Sequence, residues 1–214
     1  MKSLQMQSCV HDEGTIECAL FDIDVPAPSD KEVMVKIEAS PINPSDLGLM
    51  FGAADIDSIR ASERNGHPSI VLDVPPPAMR AMATRINEWL PVGNEACGTV
   101  VEAGASPEAQ ALLGKRVALF GGEMYSNYRT ISVFQCIPLP DDTTPEAGAS
   151  CFVNPMTALG FVETMKMEGH KAIVHTAAAS NLGQMLNRIC LNDGVPLVNV
   201  VRNDEQVALL KGQG

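Results

Sequence analysis

Residues 171–202 read KAIVHTAAASNLGQMLNRICLNDGVPLVNVVR. Residues 172–175 are a short apolar run, and 177–183 form a turn of small residues. Beyond it, Met185, Leu186, Ile189 and Cys190 recur at helical spacing. Residues 195–201 are a second apolar run, closed by Arg202. Strand, turn, helix and strand in that order make the first half of a nucleotide-binding βαβ unit. The sequence ends at Gly214, about one helix later. The expectation is that these residues hold the start of a cofactor domain and not its end.

Small residues in the turn allow a backbone to approach a pyrophosphate closely. The helix behind it offers unpaired N–H groups and the positive end of its dipole. The three glycine positions of the usual fingerprint fall on Ala178, Ser180 and Gly183. With Ala179 and Asn181 between them, these five residues are the expected pyrophosphate contacts, and Ser180 adds a hydroxyl donor. Only Gly183 is a glycine, so the competing reading is a helix that simply packs tightly on a sheet. The end of the second strand discriminates between cofactors. An NAD site places an acid there for the ribose 2′-OH. This sequence has Arg202 followed by Asn203. A guanidinium suits a 2′-phosphate, which favours NADPH over NADH. The plainer reading of Arg202 is a solvated charge at a strand end.

Composition narrows the classes. The 214 residues allow one large domain or one and a half smaller ones, and 45% hydrophobic residues suffice for a core. A net charge of −11 leaves no basic stripe for nucleic acid. Residues 1–14 are too polar for a secretory signal, and no stretch approaches the roughly 20 apolar residues of a membrane span. The six cysteines form no C-x-x-C pair. They read as reduced, mostly buried thiols of a cytoplasmic protein. Few aromatics argue against base stacking. His11, His67, His170 and His175 show no paired ligand spacing.

The first part reads as β-rich. Residues 18–23, 33–37, 98–101, 116–120, 128–133 and 136–139 are expected strands, punctuated by glycine turns, and suggest a partly open barrel. Residues 55–63 read as a short helix. After Pro75-Pro76-Pro77, residues 78–89 carry Met79, Met82, Ile86 and Trp89 at helical spacing. Residues 157–167 read as a helix, with Met156, Met165 and Met167 as its packing side chains. The expected fold class is therefore α/β: a β-rich barrel over 1–154, then the first half of a doubly wound parallel sheet over 155–214.

Four motifs appear in a recognisable order: Ser40-Pro41-Ile42-Asn43-Pro44-Ser45-Asp46, Gly93-Asn94-Glu95-Ala96-Cys97-Gly98, Asn154-Pro155-Met156-Thr157-Ala158-Leu159-Gly160, and the alanine-rich turn. Together they resemble the medium-chain dehydrogenase/reductase superfamily, in particular its zinc-free, quinone-reductase-like and enoyl-reductase-like branches. The resemblance implies a GroES-like barrel for the substrate, a Rossmann domain for NAD(P)H and a cleft between them. It implies that Asn43 orients substrate or nicotinamide, and that Thr157 lies near the nicotinamide. Each has a plainer reading, a turn asparagine before Pro44 and a first-turn helix residue.

The departures bear on mechanism. Zinc-dependent relatives have a cysteine near Asn43 and a histidine where this chain has Asn94. A catalytic zinc needs three thiolate, imidazole or carboxylate ligands, so no metal site is expected. The tyrosine of enoyl-thioester reductases falls on Ala54, with Phe51 nearby, and neither donates a proton. The reading is a zinc-independent, NADPH-dependent oxidoreductase passing hydride to a quinone or α,β-unsaturated carbonyl. It would act on a small molecule, away from membranes and nucleic acid, as a homodimer. The alternative is a non-catalytic binding or oligomerisation module. A zinc alcohol dehydrogenase is disfavoured.

Overall fold

Met6, Ser8 and Val10 alternate with residues of the opposite face, and this period of two builds β1, Lys2–His11. It pairs antiparallel along its whole length with β2, Thr15–Asp24. These features come from a computed structural model that describes residues 1–214. The chain divides into two units, Met1–Ser150 and Cys151–Gly214, against an expected boundary after residue 154.

The first unit continues with β3 (Glu32–Ala39), α1 (Pro44–Met50), β4 (Asp55–Arg64), β5 (His67–Asp73), α2 (Pro76–Ala81) and β6 (Leu90–Pro91). Then come β7 (Glu95–Ala103), α3 (Pro107–Leu112), β8 (Arg116–Phe120), β9 (Tyr128–Ser132), β10 (Cys136–Pro138) and α4 (Pro145–Ala149). One five-stranded sheet has the order β4-β5-β2-β1-β6, the other β10-β8-β7-β3-β9. Alternate residues of the second sheet, Val33, Val35, Ala96, Val100, Val117, Leu119 and Ile131, form its core.

Two expectations in this unit are corrected. Residues 55–63 are not a helix but strand β4, because Asn65 and Gly66 both adopt positive φ (53° and 80°) and turn the chain into a hairpin with β5. The Asn-Gly pair is the sequence signal for that turn. Residues 78–89 are not one helix either. α2 ends at Ala81, a 3-10 turn covers Ala83–Arg85, and Asn87 takes φ 58°. The Asn87 N–H donates to the Val10 carbonyl (2.7 Å), so pairing to β1 outcompetes helix continuation. The apolar face survives the break: Met79, Met82 and Ile86 still pack against Val10, Ile16 and Leu72. The helices α1, α3 and α4 follow Asn43-Pro44, Ser106-Pro107 and Thr144-Pro145. A small polar residue before proline at the first helical position marks a helix start.

The second unit contains α5 (Val153–Met167), β11 (Ile173–His175), α6 (Asn181–Asp193), β12 (Leu197–Asn199) and α7 (Asp204–Lys211). β11 and β12 are parallel, in the register Ile173↔Leu197 and Val174↔Val198. Ile173 and Leu197 pack on a core of Ala158, Val162, Leu186 and Cys190 from α5 and α6. α6 ends at Gly194 in the left-handed conformation. Met156 and Met167 are exposed rather than packed. They lie off the narrow stripe, Ala158 and Val162, that α5 buries.

Candidate functional site

The second unit holds a cavity of about 440 Å3 lined by Thr176–Ser180, Val200, Arg202 and Gln206. It lies at the carboxyl ends of β11 and β12, where open parallel sheets take ligands. Gly183 shows why the turn is built from small residues. A Cβ there would stand 2.4 Å from the Ala178 carbonyl oxygen and 2.6 Å from that of Ala177. Only glycine lets the first turn of α6 press so closely on the loop. Ser180 caps the helix: its hydroxyl accepts the Gly183 N–H at 3.0 Å, which leaves the hydroxyl proton to donate elsewhere. The Asn181 and Leu182 N–H groups have no partner within the protein, so the helix start retains its donors.

At the end of β12, the Arg202 N–H donates to Gln206 Oε1 (2.9 Å), and Asn203 caps α7 by accepting the Gln206 N–H (2.9 Å). These two bonds fix the loop that carries the exposed Arg202 side chain along the cavity. Of the expected cofactor contacts, Ala178, Ala179, Ser180 and Arg202 line the cavity. Asn181, Gly183 and Asn203 adjoin it and shape the backbone. Thr157 is elsewhere, exposed on α5, with its hydroxyl donating to the Val153 carbonyl (2.8 Å). Thr176, Ala177, Val200 and Gln206 were not anticipated. No signal in the sequence marks Gln206, a helical glutamine singled out only by its bond to the Arg202 N–H.

The second locus is in the first unit. Asn43 is buried at the N-terminus of α1. Its Nδ2 donates to Glu95 Oε1 (2.9 Å), and its backbone N–H donates to Asp46 Oδ2 (2.8 Å). The Tyr125 hydroxyl donates to the Pro41 carbonyl (2.9 Å). Burial, and then the carboxylates of Asp46 and Glu95, push the Tyr125 phenol above its ordinary range, so it keeps its proton at neutral pH.

No protein-family profile matches the chain. Among curated proteins, the mitochondrial enoyl-[acyl-carrier-protein] reductase of Xenopus tropicalis is 26% identical over 204 residues, covering 94% of this chain and 50% of that protein. Prostaglandin reductase-3 of Mus musculus is 25% identical over 193 residues, covering 90% and 44%. The chain thus spans about half the length of these relatives. Among solved structures, a Mesorhizobium loti protein provisionally described as an NADPH:quinone reductase superposes with a TM-score of 0.69 at 30% identity, over 100% of this chain and 58% of that one. The chain belongs to the medium-chain dehydrogenase/reductase superfamily. The Escherichia coli quinone oxidoreductase, solved with NADPH, shares the fold with a TM-score of 0.68 at 18% identity, over 99% of this chain and 56% of that one.

Within this superfamily the departures noted in the sequence have structural counterparts. Asn94, at the position of the zinc-binding histidine, donates to Ser45 Oγ (2.9 Å). No three His, Cys, Asp or Glu side chains converge on a metal-sized site. The histidines are dispersed: His67 meets Asp22, His170 meets Glu168, His175 meets Phe161, and His11 lies beside Glu17 and Trp89. Phe51 and Ala54 pack in the apolar cluster around Val10 and Leu72. No helix is long and apolar enough to cross a membrane.

Proposed function

We propose that the protein is a zinc-independent, NADPH-dependent oxidoreductase that reduces quinones or α,β-unsaturated carbonyl compounds. The carrying observation is the second unit's cavity, where the Ser180 cap hydroxyl and the Arg202 guanidinium meet beside a glycine that lets the helix start close on the turn. These residues fit a dinucleotide phosphate. Ser180 and the Asn181 and Leu182 N–H groups would hold the pyrophosphate, and Arg202 the 2′-phosphate. NADPH, when bound, supplies hydride. In this reading 1–154 is the substrate domain and 155–214 the cofactor domain.

The chain's own groups bind and orient. Glu95 holds the Asn43 amide in one orientation, and Asp46 fixes the Asn43 backbone. We assign Asn43 to orienting the reacting end of the substrate, with Asn203 and Gln206 holding the loop that carries Arg202. Thr157 is the weakest assignment, because its hydroxyl already donates within α5. The names of the relatives support reduction of conjugated carbonyls as the reaction class. Self-association as a homodimer and a cytoplasmic site of action complete the proposal.

The test is calorimetric titration with NADPH and with NADH. Saturable binding that favours NADPH, and that Arg202→Ala weakens by about 10- to 100-fold for NADPH alone, is expected from loss of a charge-assisted hydrogen bond. No binding by a chain that melts cooperatively would overturn catalytic competence and leave a binding module.

A further inference from the structure

We infer that a ladder of four side-chain amides in the second unit positions Arg202 relative to the phosphate turn, and so sets the discrimination between NADPH and NADH. The ladder starts on β12, where Asn199 Nδ2 donates to Asn187 Oδ1 (2.8 Å). Asn187 Nδ2 donates to Gln213 Oε1 (3.3 Å), and Gln213 Nε2 donates to Gln184 Oε1 (2.8 Å). Gln184 Nε2 then donates to the Ala179 carbonyl (3.2 Å). Gln184 and Asn187 are neighbours on one face of α6, and Gln213 follows the end of α7. Strand, helix and the segment beyond α7 are thus tied to the turn.

Every amide points the same way, and the turn dictates the direction. A backbone carbonyl only accepts. Gln184 must therefore offer its N–H2 group to Ala179 and its oxygen to Gln213. The same choice then passes to Gln213, Asn187 and Asn199 in turn. The far end is Asn199 Oδ1, buried and without a partner. Hydrogen bonds in series polarise one another, so a break at one link weakens the others. Asn187 is 6% exposed and lies in the buried stripe of α6 with Gly183, Leu186 and Cys190. An amide in such a stripe has to be hydrogen-bonded, and the ladder provides both of its partners.

Both ends of the ladder reach the cofactor cavity. Ala179 lines it directly. Asn199 leads into Val200 and Arg202, which line it as well. The Arg202 N–H is held by Gln206 of α7, the helix that runs on into Gln213. The ladder therefore holds the turn and the Arg202 loop at a set separation. A dinucleotide with a 2′-phosphate has to meet both at once, which requires them to be held to about 0.5 Å. A dinucleotide without that phosphate meets the turn alone. The consequence for cofactor choice rests on the reductase reading; the mechanical link between turn and loop does not.

The link is read first without cofactor, from the amide resonances of 15N-labelled protein. Gln184→Met and, independently, Gln213→Met each remove one amide and keep the length of the side chain. Gln213 lies beyond α7, so its replacement leaves every helix intact. Each variant should shift the Asn199 side-chain amide and the Arg202 backbone amide, although neither replaced residue is bonded to Asn199 or Arg202. Calorimetry then reads the consequence. Each variant should weaken NADPH binding about tenfold and NADH binding less than about twofold, as expected when one charge-assisted hydrogen bond is misaligned. In the Arg202→Ala background the same replacements should leave NADPH affinity unchanged. Asn199 and Arg202 resonances that stay fixed in both variants overturn the link. Equal losses for the two cofactors, or a loss that persists beside Arg202→Ala, overturn the role in discrimination and leave a structural tie. Linked shifts in a protein that binds neither cofactor keep the link and overturn the reductase reading together with that role.

Discussion

Gly183 and Gly160 have opposite needs. At Gly183 a methyl group would collide with the Ala178 carbonyl oxygen at 2.4 Å, and backbone cannot move aside cheaply. Gly183→Ala should cost about 1–3 kcal/mol in thermal unfolding and weaken NADPH binding, because the turn and the helix start must separate. Gly160 sits inside α5 with nothing within 4 Å of its would-be Cβ. Gly160→Ala should therefore stabilise by about 0.5–1 kcal/mol. If the two alanine variants melt alike, the close approach at the turn is not what fixes Gly183. Ser180→Ala removes the cap on α6 and should cost about 1 kcal/mol. Asn43, Arg202 and the small turn residues were legible as candidates from residue type and order. The Gln206 contact was not, because a glutamine on a helix has no distinguishing pattern until its amide is seen to hold the Arg202 N–H.

The β4–β5 hairpin shows an element held by a polar pin. Glu17, on β2, is buried, with its side chain 5% exposed. Arg64 Nε donates to its Oε2 at 3.0 Å, and the guanidinium lies over the Trp89 ring at 4.8 Å. Burial alone would raise the Glu17 carboxyl. The Arg64 guanidinium, which hydrogen-bonds the carboxylate, outweighs it with help from the neighbouring Ser69 and His11, and the group stays below its ordinary range. A carboxyl depressed in the folded state contributes stability that is fully present above its unfolded value, about 4.3. That contribution is lost as pH falls through the lower folded value. Wild-type chain should therefore lose stability on acidification through this window, and Glu17→Gln should lose less over the same steps of a pH-resolved urea series. Arg64→Leu leaves the carboxylate buried and should cost about 1–3 kcal/mol at neutral pH. The helix expected over 55–63 gives way to this hairpin because the Asn65-Gly66 turn pairs β4 with β5. The period of β1 was likewise present in the sequence and overlooked.

Across the whole molecule, the second unit leaves apolar surface bare. Val174 and Val198 are paired in register and are 66% and 55% exposed, and Val200 extends the patch. β11 and β12 pair only with each other, so their outer edges keep free backbone groups. Exposed sheet of this kind associates. The chain should sediment as a dimer or larger species at micromolar concentration. Val174→Lys with Val198→Lys should give a monomer whose melting temperature is little changed. A wild-type monomer under those conditions would count against the homodimer assignment.

The sequence by itself determined the order of elements in the second unit and the alternation of the barrel strands. It also carried the four motifs that led to the superfamily, since each rests on local periodicity or small-residue turns. Tertiary structure decided what depends on partners distant in the chain. Pairing with β5 made 55–64 a strand, and a bond to Val10 ended the helix begun at Pro76. Local propensities differ by fractions of a kcal/mol per residue, whereas pairing and burial act over whole elements. Where the two compete, the long-range contacts prevail.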